Sequence, residues 1–270
     1  MNFTNDIFSL NKPTQVKFDL TEIKLPNSND VYFRAKQTEL LEQYQAARIF
    51  IEETETDDWE HWFDAHDEQK LNEAFRLIFK SHFYEAALFF YNAVVDISWT
   101  LCYVAIEYAC RRQGKRVNIS GMKPIEEAVE LLREAEKNVT NPSDMENPFS
   151  YLKRMCPEFE TVINSIVDFW NAFSEKEIRK RYNFCKHKGK PAYEEIERLR
   201  HGSPVGFYIK DTSSGQFTQI ATNTQDVRYS FSLEEAIAEL RNFDDNELFP
   251  YIEKLIKSIE EILQPSPIVF

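Results

Sequence analysis

From about Asp30 the apolar positions recur at three-and-four spacing. Tyr32, Leu40, Leu41, Tyr44, Ala47 and Phe50 or Ile51 predict a helix capped by Asn29 or Asp30 and ended by the acidic segment EETETDD. The longest helical pattern runs from about Asp67 to Gln113 and predicts two helices that meet near Ser81. Its second part, FYEAALFFYNAVVDISWTLCYVAIEYAC, is apolar for long enough to raise the question of a membrane span. Glu85, Asp96 and Glu107 recur at intervals of eleven, which at about 100° per residue returns them to nearly one face, beside Asn92 and Tyr103. A mid-span aspartate costs roughly 2.5–3.5 kcal/mol on insertion scales. The segment therefore reads as a central core helix with one polar stripe, and Gly114 after the basic RRQ stops it.

Pro124 opens IEEAVELLREAEK, whose carboxylates come early and cations late, as a helix dipole prefers; NVTNPSDMENPF follows as a loop. Two more helices are predicted, from about Pro148 to Met155 and from Pro157 to Phe173. The second carries the stripe Phe159, Val162, Ile163, Ile166, Val167 and Trp170. Ser174 with Glu177 resembles a capping box that starts SEKEIRKRYNFCKHK, which Gly189 and Pro191 end. After PAYEEIERLRHG the period changes to alternation: VGFYIK, QFTQIA and VRYSF predict a small antiparallel meander over residues 205–231. Ser232 with Glu235 repeats the capping pattern, and helices continue to Pro265. Residues 1–30, with two prolines and the alternating run VKFDLTEI, read as an extended arm. Residues 31–270 read as one mostly α-helical domain, an all-α bundle with the β meander inserted near 205–231.

Composition agrees with helices, since six glycines are few for a turn-rich β fold, and 43% hydrophobic residues suffice for a core. A formal charge of -13 repels nucleic acid over most of the surface, so any RNA contact must be local. Cys102, Cys110, Cys156 and Cys185 form no CxxC pair, which predicts reduced thiols in a cytosol rather than a zinc site or disulfide scaffold. The start MNFTNDIFSLNKP has no signal-peptide pattern, and the expected location is cytoplasmic, with no membrane partner.

Several chemistries are disfavoured by spacing. His61 and His66, five residues apart in DDWEHWFDAHDE, lie about 140° apart on a helix, away from the one-turn spacing that brings two ligands to one metal. No metal or other cofactor is expected. The chain has no GxSxG, Walker lysine loop or GxGxxG. A thiol enzyme based on Cys185 draws on cations that would lower its pKa, but His187 sits only two residues away, on the opposite side of a helix.

The segment RYNFCKHKGKP concentrates positive charge in an acidic chain. On a helix Asn183 and His187 are one turn apart, Arg181 precedes them, and Lys176, Arg179, Lys180, Lys186, Lys188 and Lys190 surround them. Two readings follow: the cations stabilise a helix C-terminus and solvate an exposed face, or they handle phosphate. Arg181, five intervening residues and His187 match the R-x(4 to 6)-H pattern of the HEPN family (higher eukaryotes and prokaryotes nucleotide-binding). SHFYEAALFFYNAVVDISWTLCYVAIEYACRRQG also resembles the long helix with which many such bundles begin, and the resemblance covers roughly residues 70–200.

The resemblance implies a dimeric α-helical bundle in which two copies of the motif face one cleft. It also implies a metal-independent ribonuclease or an RNA-binding protein of a defence or toxin–antitoxin system, with RNA and an antitoxin or other protein as partners. On that mapping Arg181 would hold the scissile phosphate, His187 would move a proton at the 2'-hydroxyl or the leaving oxygen, and Asn183 would orient them. Arg179, Lys180, Lys186, Lys188 and Tyr182 would bind RNA or its phosphates. The family's polar residue usually follows the arginine directly, whereas Tyr182 stands there and Asn183 comes one later. The alternative is a non-catalytic helical dimerisation or protein-interaction module in which the same residues cap a helix and the β meander contacts a partner.

Overall fold

The computed structural model describes residues 29–56, 69–112, 148–199, 204–223 and 228–263. The N-terminal arm, His61 and His66, and the helix expected after Pro124 lie outside them. The architecture is mostly α-helical. Helix α1 (Asn29–Glu53) packs along α2 (Gln69–Arg112), followed by α3 (Pro148–Met155), a 3-10 turn (Pro157–Phe159), α4 (Glu160–Ser174) and α5 (Glu177–His187). Strand β1 (Ala192–Tyr193) and α6 (Glu194–Leu199) lead to β2 (Pro204–Lys210), β3 (Phe217–Asn223) and β4 (Ser230–Phe231). Helix α7 (Leu233–Phe243), a π-helical turn (Asp244–Leu248) and α8 (Phe249–Leu263) are the last of the described elements.

Helix α2 is one element of 44 residues, not two meeting near Ser81. No proline or glycine interrupts it, and the buried Ser81 hydroxyl donates to the Ile78 carbonyl at 2.7 Å, so the serine is satisfied inside the helix. Although α2 is long and apolar enough to cross a membrane, its most apolar stretch is mostly buried within the protein. Tyr84, Ala87, Leu88, Tyr91, Val94 and Val95 sit in the core with Leu40, Tyr44, Ala47, Phe173, Phe243 and Ile252. At its centre the Tyr44 and Tyr91 hydroxyls donate to opposite oxygens of Asp244, at 2.6 and 2.7 Å, and Arg48 lies 3.3 Å from the same carboxylate. Asp244 opens the π-helical turn between α7 and α8, so this network ties that turn to α1 and α2.

Three local expectations are corrected. VRYSF does not extend the meander: β2 and β3 form a two-stranded antiparallel hairpin, whereas β4 pairs in parallel with β1 through Ala192–Ser230 and Tyr193–Phe231. Ser174 is no cap for α5; it is the last residue of α4 and its hydroxyl donates to the Asn171 carbonyl, leaving Lys176 at the N-cap with no side-chain capping bond, its ammonium instead reaching Glu247 at 2.9 Å. Cys156 is disulfide-bonded, against the expectation of four reduced thiols. Ser232 does cap α7, accepting from the Glu235 N–H, and Glu195 reinforces that end by accepting from the Ser232 hydroxyl and the Leu233 and Glu234 N–H groups.

Candidate functional site

The motif lies on α5. Ile178 and Tyr182 are buried and Cys185 half-buried, which turns one side of this short helix into the core. The last turn closes on the Phe184 carbonyl, which accepts from the Lys188 and Gly189 N–H groups. Gly189, at φ 123°, provides a backbone conformation costly for other residues, and the chain then turns toward β1.

The cations of α5 separate by face. Arg179 donates to Asn92 at 3.0 Å, lies 3.7 Å from Asp96, and stacks over Trp170 and Tyr182 with its guanidinium carbon 4.9 and 5.0 Å from the ring centres. Lys190, beyond the helix, reaches Glu85 at 3.3 Å, and the Tyr193 hydroxyl donates to the same carboxylate at 2.7 Å. The polar stripe of α2 is thereby a docking rail for the basic segment. Burial raises the pKa of Asp96, with Arg179 and Lys186 opposing that shift.

Arg181 faces a different neighbour. Its guanidinium donates to Glu239 of α7 at 2.6 Å and lies over the Phe231 ring at 4.6 Å from the centroid; its side chain is 11% exposed. Its Nε is buried without a hydrogen-bond partner. Burial works against its charge, but the neighbouring Tyr84 and the Glu239 carboxylate outweigh that and hold its pKa above the ordinary value.

Asn183 and His187 are exposed, one turn apart, as their spacing suggests. Arg181 is not brought to them. An offset of six positions along the helix places it about 120° of rotation from His187, and its guanidinium is turned onto α7. The exposed Lys180 pairs with Glu177 at 2.8 Å, Lys186 lies 5.6 Å from the Tyr182 ring centre, and Lys188 is exposed. Tyr182, 8% exposed, packs edge-on against Phe89 and offers little free ring face for a base. Cys185 is no activated thiol: burial, with Glu85 adding and Lys190 opposing, pushes it up to about 11. No group of three or more metal-ligating side chains gathers among the described residues.

Neither Glu239 nor Phe231 carries a sequence signal that marks it as the partner of Arg181. Asn92 and Asp96 do, as polar interruptions of an apolar run. No protein-family model matches the chain, and neither a curated protein nor a solved structure does.

Proposed function

We propose that this chain is a non-catalytic helical interaction module in which the HEPN-like R-x(4 to 6)-H pattern has a structural role. The observation that carries the reading is the Arg181–Glu239 pair. A ribonuclease of this pattern needs its guanidinium and imidazole to converge on one phosphate. Here the guanidinium is occupied by a carboxylate, stacked on Phe231 and turned away from His187. Arg179 and Lys190 are likewise paired with groups of α2, so the basic segment neutralises its own bundle.

A second reading, a metal-independent ribonuclease or RNA-binding protein, draws on the exposed Asn183 and His187 with Lys186 and Lys188 beside them. It requires Glu239 to release Arg181. Incubating mixed RNA with the wild type, His187→Ala and Glu239→Gln in the presence of chelator separates the two. The module reading expects no cleavage by any of them. Cleavage by the wild type that His187→Ala abolishes overturns it.

A further inference from the structure

One face of α2, the chain leaving α5 and the segment before β4 line a pocket of about 200 Å³. Ile78, Ser81 and His82 share that face of α2 through their three-and-four spacing. The turn at Gly189 brings Lys190 against them, and Tyr193 and Ile196 supply buried apolar surface. The lining holds two permanent cations, Lys190 and Arg228, against one carboxylate, Glu197, in a chain of net charge -13. Neither Asn183 nor His187 belongs to it.

Both cations are incompletely engaged. Lys36, Lys153, Lys176 and Lys180 close on their carboxylates at 2.7–2.9 Å, the usual length of a charge-assisted bond. The Lys190 ammonium instead lies 3.3 Å from Glu85, 3.3 Å from His82 Nδ1 and 3.5 Å from Ser81 Oγ. These partners are committed elsewhere: the same Glu85 oxygen accepts from the Tyr193 hydroxyl at 2.7 Å, and the Ser81 hydroxyl donates to the Ile78 carbonyl. Arg228 donates to Glu197 at 3.0 Å and to the Pro191 carbonyl at 3.1 Å, which fixes the guanidinium plane; its other N–H groups have no partner among the described residues. An oxyanion satisfies both groups, and a planar carboxylate matches the guanidinium fork. The apolar lining decides what the anion carries. A cavity of about 150 Å³ takes benzene, so this pocket has room for one ring and its acid group, and it is smaller than the roughly 300–1,000 Å³ that drug-sized ligands fill. We infer that the pocket binds a small carboxylic acid with a compact apolar body. The carboxylate meets Lys190 and Arg228, and the body lies on Ile78, Tyr193 and Ile196. Glu197 and Glu85 oppose the added charge, so the affinity is modest.

The test is a ligand-observed NMR titration of the full chain with benzoate at low ionic strength, with far-ultraviolet circular dichroism to verify the folding of each variant. Saturable binding with a Kd of about 1 mM or tighter is expected. Benzamide keeps the ring without the charge and is expected to bind about tenfold more weakly or worse. Equimolar inorganic phosphate keeps a charge without the ring and is expected to leave benzoate in place. Lys190→Gln and Arg228→Gln are each expected to weaken benzoate about tenfold, and Ile78→Trp, which fills the pocket and removes no charge, is expected to abolish binding. Lys257→Gln, on the exposed side of α8, is expected to change nothing. Absence of saturable binding by the wild type, equal binding of benzamide, displacement by phosphate, or a loss in Lys257→Gln as large as in Lys190→Gln overturns the proposal. Should Arg228→Gln misfold for want of its Pro191 bond, Lys190→Gln and Ile78→Trp are read, and undiminished binding by both overturns it equally. The site shares no residue with Asn183 and His187, so RNA cleavage bears only on the module reading and this titration only on the pocket.

Discussion

Arg181 on α5 and Glu239 on α7 form a 2.6 Å ion pair across 58 residues of sequence, closed on its other side by the Phe231 ring. The pair converts the most basic stretch of an acidic chain into an internal joint between two helices. It also sets Arg181 apart from Asn183 and His187. The exposed Asn183 and His187 side chains are expected to be neutral for folding: His187→Ala changes stability by less than about 0.5 kcal/mol in urea titration.

The Asp244 network is a buried polar joint in the core. Asp244 and Arg48 are 3% and 5% exposed, and both tyrosine hydroxyls depend on the same carboxylate. Removing one member of a buried pair strands the other, so Asp244→Ala is expected to cost about 3–5 kcal/mol in chemical denaturation. Tyr91→Phe, which deletes one donor and leaves the ion pair, costs about 1–2 kcal/mol.

Cys185 gives a pH-dependent readout. With its pKa pushed up to about 11, little thiolate exists at pH 8. Alkylation there is expected to run about a hundredfold slower than for an ordinary exposed thiol, with the rate still rising toward pH 11. Mass-spectrometric mapping of the Cys185 peptide measures it; ordinary reactivity at pH 8 contradicts the buried setting.

Glu195 gives the acid side. Burial raises its pKa, but bonds from the Leu233 N–H, the Ser232 hydroxyl and further backbone N–H groups outweigh that and leave it lowered. A depressed carboxyl contributes stability that is present above the unfolded-state pKa, about 4.3, and is lost as pH falls through the lower folded value. Glu195→Gln is therefore expected to flatten the decline of melting temperature below about pH 4.5. An unchanged acid limb contradicts this.

Local patterns in the sequence carry much of the fold. Spacing marks α1, α4 and the core face of α2, and the polar stripe on α2 is legible as a stripe. Its purpose is not, because the partners Arg179, Lys190 and Tyr193 arrive from roughly 90 to 110 positions further along. Ser-x-x-Glu occurs at both 174 and 232. Only the second caps a helix, since Ser174 still belongs to the helix before it and bonds backward to Asn171. Alternation likewise marks a strand at Ser230–Phe231 of VRYSF but not its partner β1, reached by a parallel pairing 38 residues away. The candidate site follows the same rule. Asn183 and His187 lie one turn apart and exposed as their spacing suggests, whereas the fate of Arg181 depends on Glu239, which no local pattern indicates.

The Arg181–Glu239 joint is tested most directly by a double-mutant cycle of Arg181→Ala, Glu239→Ala and the double variant in urea denaturation at low ionic strength. A charge-assisted bond with one half-exposed partner is expected to show a coupling of about 1–2 kcal/mol. Coupling indistinguishable from zero would mean that the guanidinium is not committed to Glu239 and is free for an anion, contrary to the account given above.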